Sequence, residues 1–267
     1  SVLPLAHGLQ RVLDLTALAG GAAVCYGESL KNLVDDVKEI QPTILGGVPR
    51  LMDKVFESIQ TKAEAGGWFK RMVFRWSLQV AREFGEYYQS KQEPPLIFRL
   101  KHKLATALVF GKVNQAMGGH IRFVGSGGAS LSVDIAKFFM ACNIPVMEAY
   151  GMTETTVCGS LNLPGEFKFG TVGRVSPGAE IKIAEDGEIL MRGDCLFLGY
   201  YKMDAAVQAT LYRDGWFLTG DVGIKDADGY MIVTDRKKEL IITAYGENIS
   251  PANIEATLSV SPLIAAS

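Results

Sequence analysis

The stretch "EAYGMTETTVCGS", residues 148–160, places one carboxylate, Glu154, among three threonine hydroxyls, Thr153, Thr155 and Thr156. Glu154 offers hard oxygen donors, the kind Mg2+ accepts beside a phosphate. Thr153 can donate a hydrogen bond to a phosphate oxygen, and Tyr150 carries a ring face on which a flat base can stack. A capping loop with a solvated glutamate reads the same six residues equally simply. Upstream, "GSGGAS" (125–130) follows an apolar run and precedes a helical pattern. Glycines there let a flat ligand approach the backbone, since no Cβ intervenes. The spacing is neither GxxxxGK[ST] nor GxGxxG, so a tight strand–helix turn is the plain alternative. Downstream, "DGWFLTGDVG" (214–223) presents Asp221, which can accept two hydrogen bonds from a ribose diol or simply sit in a hairpin turn. "DRKKELI" (235–241) presents Arg236 and Lys238, either ligand contacts or a solvated charge run. No nucleophile–base pair stands out.

These residues need elements to hold them. Leu30, Leu33, Val34 and Val37 share a stripe, which predicts a helix over 30–40. "PTILGGVP" (42–49) reads as a short buried strand and a turn, and 50–63 and 68–90 as amphipathic helices. "KQEPP" (91–95) is a loop, and the helical pattern then resumes to about 118. "HIRFV" is a strand running into the glycine turn, and "SVDIAKFFMAC" a helix with Ser132 as its N-cap. "IPVMEAYG" is the next strand. Strand, helix, strand in this order predicts a βαβ unit, with both strand ends at the ligand-binding edge of a parallel sheet. From about 165 to 234 the texture changes to short alternating strands with Asp-Gly pairs at 186–187 and 228–229, which predict hairpins in a small antiparallel subdomain.

Composition narrows the function. The chain has 267 residues, 48% of them hydrophobic and 21% charged, enough for one large domain or two moderate ones. A net charge of −2 argues against a nucleic-acid partner. Cys25, Cys142, Cys158 and Cys195 form no close pair and no zinc pattern, so reduced, buried or half-buried thiols are expected. No apolar run reaches the roughly 18 residues of a membrane span, and no signal peptide is visible. Trp68, Phe69, Phe74 and Trp76 lie beside Lys70, Arg71 and Arg75, a pattern that suits either a membrane surface or ordinary packing.

Taken in order, "GSGGAS", "YGMTET", "GTVGRVSPGAEIKI", "GEILMRGDCLFLGYY", "DGWFLTGDVG" and "DRKKELIITAYGENISP" resemble the successive core motifs of the adenylate-forming superfamily. "LPLAHGLQRVLDL", "EIQPTILGGVPRLMDKVFESI" and the long helical stretch 66–118 bring the resemblance to the long-chain fatty acyl-CoA synthetases, including the bubblegum-type branch. The resemblance implies an acetyl-CoA synthetase-like α/β fold: a parallel sheet with flanking helices, a small antiparallel β subdomain and the start of a hinged C-terminal α+β domain. The implied boundaries are 1–164, 165–234, a hinge at 235–238 with Asp235 and Lys238 in it, and 239–267.

The implied activity is ATP-dependent ligation of a long-chain fatty acid to coenzyme A through an acyl-adenylate, with Mg2+. Glu154 is the implied metal ligand, Thr153 a phosphate contact, and Arg236 a catalytic residue near the ribose. Gly127, Gly128, Ala129, Tyr150, Gly151, Asp221 and Lys238 are implied nucleotide contacts. His7 and Gly127 are implied at the acyl site, although a lone histidine beside an apolar strand also reads as a hydrogen-bonded core residue; His102 and His120 carry no such case. "AYGENISP" (244–251) is the implied lining of a coenzyme A channel. The pattern departs at Ile242, where many members carry lysine. The phosphate loop and the catalytic lysine of the family are not found, so the chain is expected to be an internal piece of a longer protein, at best a weak binder on its own. The expected location is cytoplasmic or peripheral on an intracellular membrane, not secreted. An adenylation domain feeding a carrier protein and a non-catalytic nucleotide- or acyl-binding relative stay open; the 66–118 insertion speaks against the first and the retained Glu154, Asp221 and Arg236 against the second.

Overall fold

In the computed structural model the described residues are 1–29, 32–239, 241–242, 248–249, 251 and 254. The chain divides into two compact units, Ser1–Met147 and Glu148–Ser267. The boundary falls inside a strand, Val146–Tyr150.

The first unit is helical around a small parallel pair. Its helices are α1 (Gly8–Ala19), α2 (Leu33–Ile40), α3 (Pro49–Ala65), α4 (Gly67–Ser90), α5 (Leu96–Ala105), α6 (Gly111–Ala116) and α7 (Val133–Ala141). A π-helical turn, Thr106–Phe110, joins α5 to α6. Strands β1 (Ile44–Gly47) and β2 (Phe123–Gly127) pair in parallel, with Leu45 opposite Val124. The core forms where apolar stripes of α3, α4 and α7 meet: Phe56, Phe74 and Phe110 surround Phe138, with centroids 5.2, 6.1 and 6.0 Å from it. α4 and α7 approach closely at buried Gly85, where a Cβ would lie 2.5 Å from the Lys137 side chain. Arg82 clamps Asp134 across the same seam at 2.7 and 3.1 Å.

Several expectations need correction here. α1 occupies what read as apolar strand, so His7 is an exposed residue at a helix start and not a core histidine. Ser132 holds the N-cap position of α7 but makes no capping hydrogen bond. Leu30 lies outside the described residues. α4 splits the aromatic cluster expected on it: Phe74 is buried, while Trp68 and Phe69 are 74% and 57% exposed. Half-buried His102 joins an aromatic stack, 4.5 Å from Phe84, and burial lowers its pKa.

The second unit is antiparallel. β3 (Val146–Tyr150) runs into it and pairs with β4 (Ser160–Leu161), which pairs with β5 (Arg174–Val175). A second sheet has the order β10 (Met231–Arg236), β9 (Trp216–Lys225), β7 (Glu188–Gly193), β6 (Ala179–Ile183), with β8 (Tyr212–Arg213) on β9 and the short helix α8 (Ala205–Ala209) before it. Asp186-Gly187 and Asp228-Gly229 turn β6 into β7 and β9 into β10, as their φ-permissive glycines predict (φ 84° and 86°). Asp214-Gly215 makes a third such turn, between β8 and β9. The core of this sheet holds Tyr150, Ile189, Met191 and Met231. Beyond it, β11 (Ile241–Ile242) pairs with β12 (Asn248–Ile249).

Candidate functional site

The expected site residues of the second unit gather around the end of β3 and the pairing of β9 with β10. Tyr150 ends β3, and its hydroxyl donates to Asp221 Oδ2 at 2.7 Å. Asp221 is not in a turn: it lies within β9, directly opposite Arg236 of β10. The Arg236 guanidinium, well exposed, stands 3.8 Å from the other Asp221 oxygen. Asp221 therefore faces a phenol on one side and a cation on the other, with its side chain mostly covered (16% exposed). Burial raises its pKa above the ordinary carboxylate range, the Tyr150 hydrogen bond and Arg236 oppose the rise, and the charges of Glu239 and Glu154 add to it. The Tyr150 phenol is pushed up by burial and by the Asp221 charge, so it stays protonated and donating. Its ring is 9% exposed and packs with Ile189 and Met231. That leaves little of the face expected to stack on a base; what Tyr150 gives the site is its hydroxyl.

Residues 151–158 form a tight, strained loop. Thr155 is buried, and its hydroxyl exchanges 3.1 Å hydrogen bonds with the backbone of Met152, closing a single 3-10 turn, Thr153–Thr155. Thr156 and Val157 then both take positive φ, 51° and 60°. That is costly for β-branched residues and collects at functional loops. Gly151 permits the fold-back, since a Cβ there would lie 2.4 Å from the Val157 carbonyl carbon. The turn leaves Thr153 exposed and Glu154, next to it in sequence, half-exposed.

The metal question turns on the donor set. Among the described residues no group of three or more His, Cys, Asp or Glu could cage a metal. A lone carboxylate beside an exposed hydroxyl is what Mg2+ uses when substrate phosphates supply its remaining oxygens. Glu154 and Thr153 fit that pattern.

Three contributors were not legible in the sequence. Tyr200 donates its hydroxyl to Glu154 Oε1 at 2.5 Å, and this bond together with the carboxylate charge pushes the phenol up to about 12. Lys237 lies 2.7 Å from both Asp186 and Glu188. Glu188, buried, also accepts the Gly220 N–H at 3.0 Å, which fixes the backbone just before Asp221. Tyr200 and Lys237 stand in the LGYY and DRKK strings, but the carboxylates they reach lie 46 to 51 positions away.

Asp235 is buried at the end of β10 and accepts the Arg236 N–H at 2.7 Å; Lys238 is exposed just past the strand. Gly127, Gly128, Ala129 and His7 belong to the first unit. Gly127 ends β2, buried, and Gly128 turns the chain at φ 88°, a conformation that selects glycine. Ala129 and His7 are exposed. The 244–251 loop lies outside the described residues apart from 248–249 and 251, as does the segment 239–267 apart from 239, 241–242, 248–249, 251 and 254.

The chain is similar to known proteins in sequence and in fold. The family model described as AMP-binding enzyme matches residues 1–201. A long-chain-fatty-acid–CoA ligase of Mycobacterium bovis is 37% identical over 98% of this chain and 43% of its own length. The mouse long-chain-fatty-acid–CoA ligase of the ACSBG1 type is 35% identical over 99% of this chain and 38% of its own. The chain thus spans less than half the length of these relatives. Among solved structures, O-succinylbenzoate CoA synthetase of Bacillus subtilis with ATP and magnesium superposes with a TM-score of 0.69 at 22% identity, over the whole chain and 47% of that protein. A fatty acyl-CoA synthetase of Mycobacterium tuberculosis superposes with a TM-score of 0.57 over 97% of the chain and 44% of its own.

Proposed function

We propose, from the premise that this chain belongs to the AMP-binding enzyme family, that it forms the central part of an ATP-dependent ligase joining a long-chain fatty acid to coenzyme A. The observation that carries the reading is the Asp221 cluster: a covered carboxylate held ionisable by Tyr150 and Arg236, on the same unit as an accessible Thr153–Glu154 turn. Covered carboxylates that accept only one short hydrogen bond have lone pairs left for a diol.

In the first half-reaction a fatty acid carboxylate oxygen attacks the α-phosphorus of ATP, and pyrophosphate leaves. In the second the coenzyme A thiol attacks the acyl carbonyl, and AMP leaves with its electron pair. No protein nucleophile is required; the demand is to orient the phosphates and stabilise charge as it moves. Bound Mg2+ supplies charge neutralisation on the phosphate oxygens. Glu154 would hold it, and Thr153 would donate to a phosphate oxygen. Asp221 would accept from the ribose hydroxyls, with Arg236 beside them. Gly127 and Gly128 would offer backbone without Cβ bulk, and Ala129 backbone carrying only a methyl, to a flat ligand or the acyl carboxylate, and His7 would border the acyl chain. Residues 235–238, Asp235 and Lys238 among them, would be the hinge, and such short segments absorb the backbone change of a domain swing. The names of the ligase relatives support the choice of a long-chain acid and coenzyme A.

ATP–pyrophosphate exchange in the protein that contains this chain tests the reading. Exchange should depend on a long-chain fatty acid and fall about a hundredfold in Glu154→Gln, the scale of losing one charge-stabilising group. Exchange indifferent to fatty acid, or undiminished in the variant, would overturn it.

A further inference from the structure

The geometry points to Tyr200 as a positioning residue that holds Glu154 in its cation-binding orientation through a strap formed by residues 195–200. The inference rests on the reading of Glu154 as the metal-binding carboxylate.

The strap grips the Glu154 loop three times. The Thr156 hydroxyl donates to the Cys195 carbonyl at 2.9 Å, and the Phe197 N–H donates to the Glu154 carbonyl at 2.8 Å. The Tyr200 hydroxyl then reaches the Glu154 side chain itself. Glu154 is thus fixed at both backbone and carboxylate by one segment.

The strap is itself anchored. The Tyr200 ring meets Phe197 edge-on at 4.9 Å, and Phe197 meets buried Phe217 of β9 at 5.7 Å. Gln208 of α8 spans the strap with both ends of its amide, donating to the Leu198 carbonyl at 2.9 Å and accepting the Tyr200 N–H at 3.2 Å. Gly199 lies between those two contacts at φ 138°; a Cβ there would sit 1.5 Å from Gln208 Nε2. The aromatic edge, the amide clamp and the glycine together give the Tyr200 hydroxyl a fixed position.

One hydrogen bond occupies one of about four lone-pair sites on a carboxylate. Among the described residues, Glu154 Oε2 and the rest of Oε1 stay open to a cation. A half-exposed glutamate otherwise spends rotamer freedom when it takes up a ligand. Tyr200 has already removed that freedom, so binding starts from the oriented state. This is the part that partners of metal-ligating carboxylates play, and their loss weakens metal binding about tenfold or more.

The test uses the protein that contains this chain, with Mn2+ as a paramagnetic probe and a non-hydrolysable ATP analogue. Mn2+ affinity is read by electron paramagnetic resonance in wild type, Tyr200→Phe, Glu154→Gln and the double variant. The expected result is about tenfold weaker Mn2+ binding in Tyr200→Phe, with no further loss when that change is added to Glu154→Gln. Gln208→Leu, which loosens the strap without touching the site, should weaken Mn2+ in the same direction and keeps the inference testable should the first variant fold poorly. Unchanged or tighter Mn2+ binding in both folded strap variants, with Glu154→Gln impaired, overturns the inference alone. Wild-type Mn2+ binding in Glu154→Gln overturns the metal reading of Glu154 and the inference with it.

Discussion

Replacing Tyr150 by phenylalanine removes one oxygen from an otherwise buried ring and leaves the packing against Ile189 and Met231 in place. The oxygen removed is the 2.7 Å donor to Asp221. A hydrogen bond to an ionised group contributes about 1.5–3 kcal/mol, one between neutral groups about 0.5–1.5 kcal/mol. The loss should therefore depend on pH. Asp221 already has a folded-state pKa above its unfolded value, chiefly through burial, so the folded state binds the extra proton between the two values. Stability carried by that proton is present at low pH and is lost as pH rises through the folded pKa. Tyr150 opposes the upward shift, and Tyr150→Phe moves the folded pKa further up. Ionising Asp221 then costs more, and the variant loses more stability above that pKa than below it. The expected destabilisation is about 1 kcal/mol at the acid end and about 2–3 kcal/mol near pH 8. Urea unfolding of the protein and its Tyr150→Phe variant at half-unit steps from pH 4 to 8 measures this. A destabilisation that is flat with pH would refute the reasoning, because the hydroxyl would then be packing against the carboxylate without stabilising its charge.

Three further outcomes follow from the same geometry. Lys237→Met strips the cation from buried Glu188 and should cost about 2–3 kcal/mol in unfolding experiments, less than a fully buried pair because Lys237 is partly exposed, and Lys237→Met with Glu188→Gln should recover much of it. Gly151→Ala drives a Cβ into the Val157 carbonyl and should destabilise by about 1–3 kcal/mol, with ATP affinity falling alongside; a silent substitution would mean the loop relaxes freely. Of the four free cysteines, exposed Cys25 should react first with an aromatic disulfide reagent, and Cys142, whose thiol pKa burial raises strongly, only on unfolding; labelling followed by peptide mapping decides it.

What the sequence reveals here is local, and what it hides is long-range. Gly187 and Gly229 mark hairpins because their φ requirement is written in two residues, and the α3, α4 and α7 helices because apolar stripes repeat along them. The Glu154 loop is half legible: its hydroxyls and carboxylate suggest a phosphate-side metal ligand, but a capping loop uses the same residues, and the fold-back at Gly151 depends on Val157 arriving against it. Tyr200 and Lys237 are not legible, since each acts on a partner some fifty residues distant and neither residue type betrays that from its neighbours. Tyr150 misleads for a related reason: an aromatic at a strand end can be a platform or a core residue, and only the arrival of Ile189 and Met231 on its ring makes it core. Asp221 reads as a turn residue because Thr-Gly precedes it, yet Glu188 takes the Gly220 N–H and keeps the strand running through. α1 was masked by its apolar lead-in, which matches a strand as well as a helix over so few residues.

The proposed chemistry is attack of a fatty acid carboxylate on the α-phosphorus of ATP. The most direct measurement supplies the protein that contains this chain with ATP, coenzyme A and a long-chain fatty acid whose carboxylate carries 18O, and reads the products by mass spectrometry. The account predicts one 18O in the AMP released and none in inorganic phosphate or pyrophosphate. Label in inorganic phosphate, or acyl-CoA formed with unlabelled AMP, would contradict it.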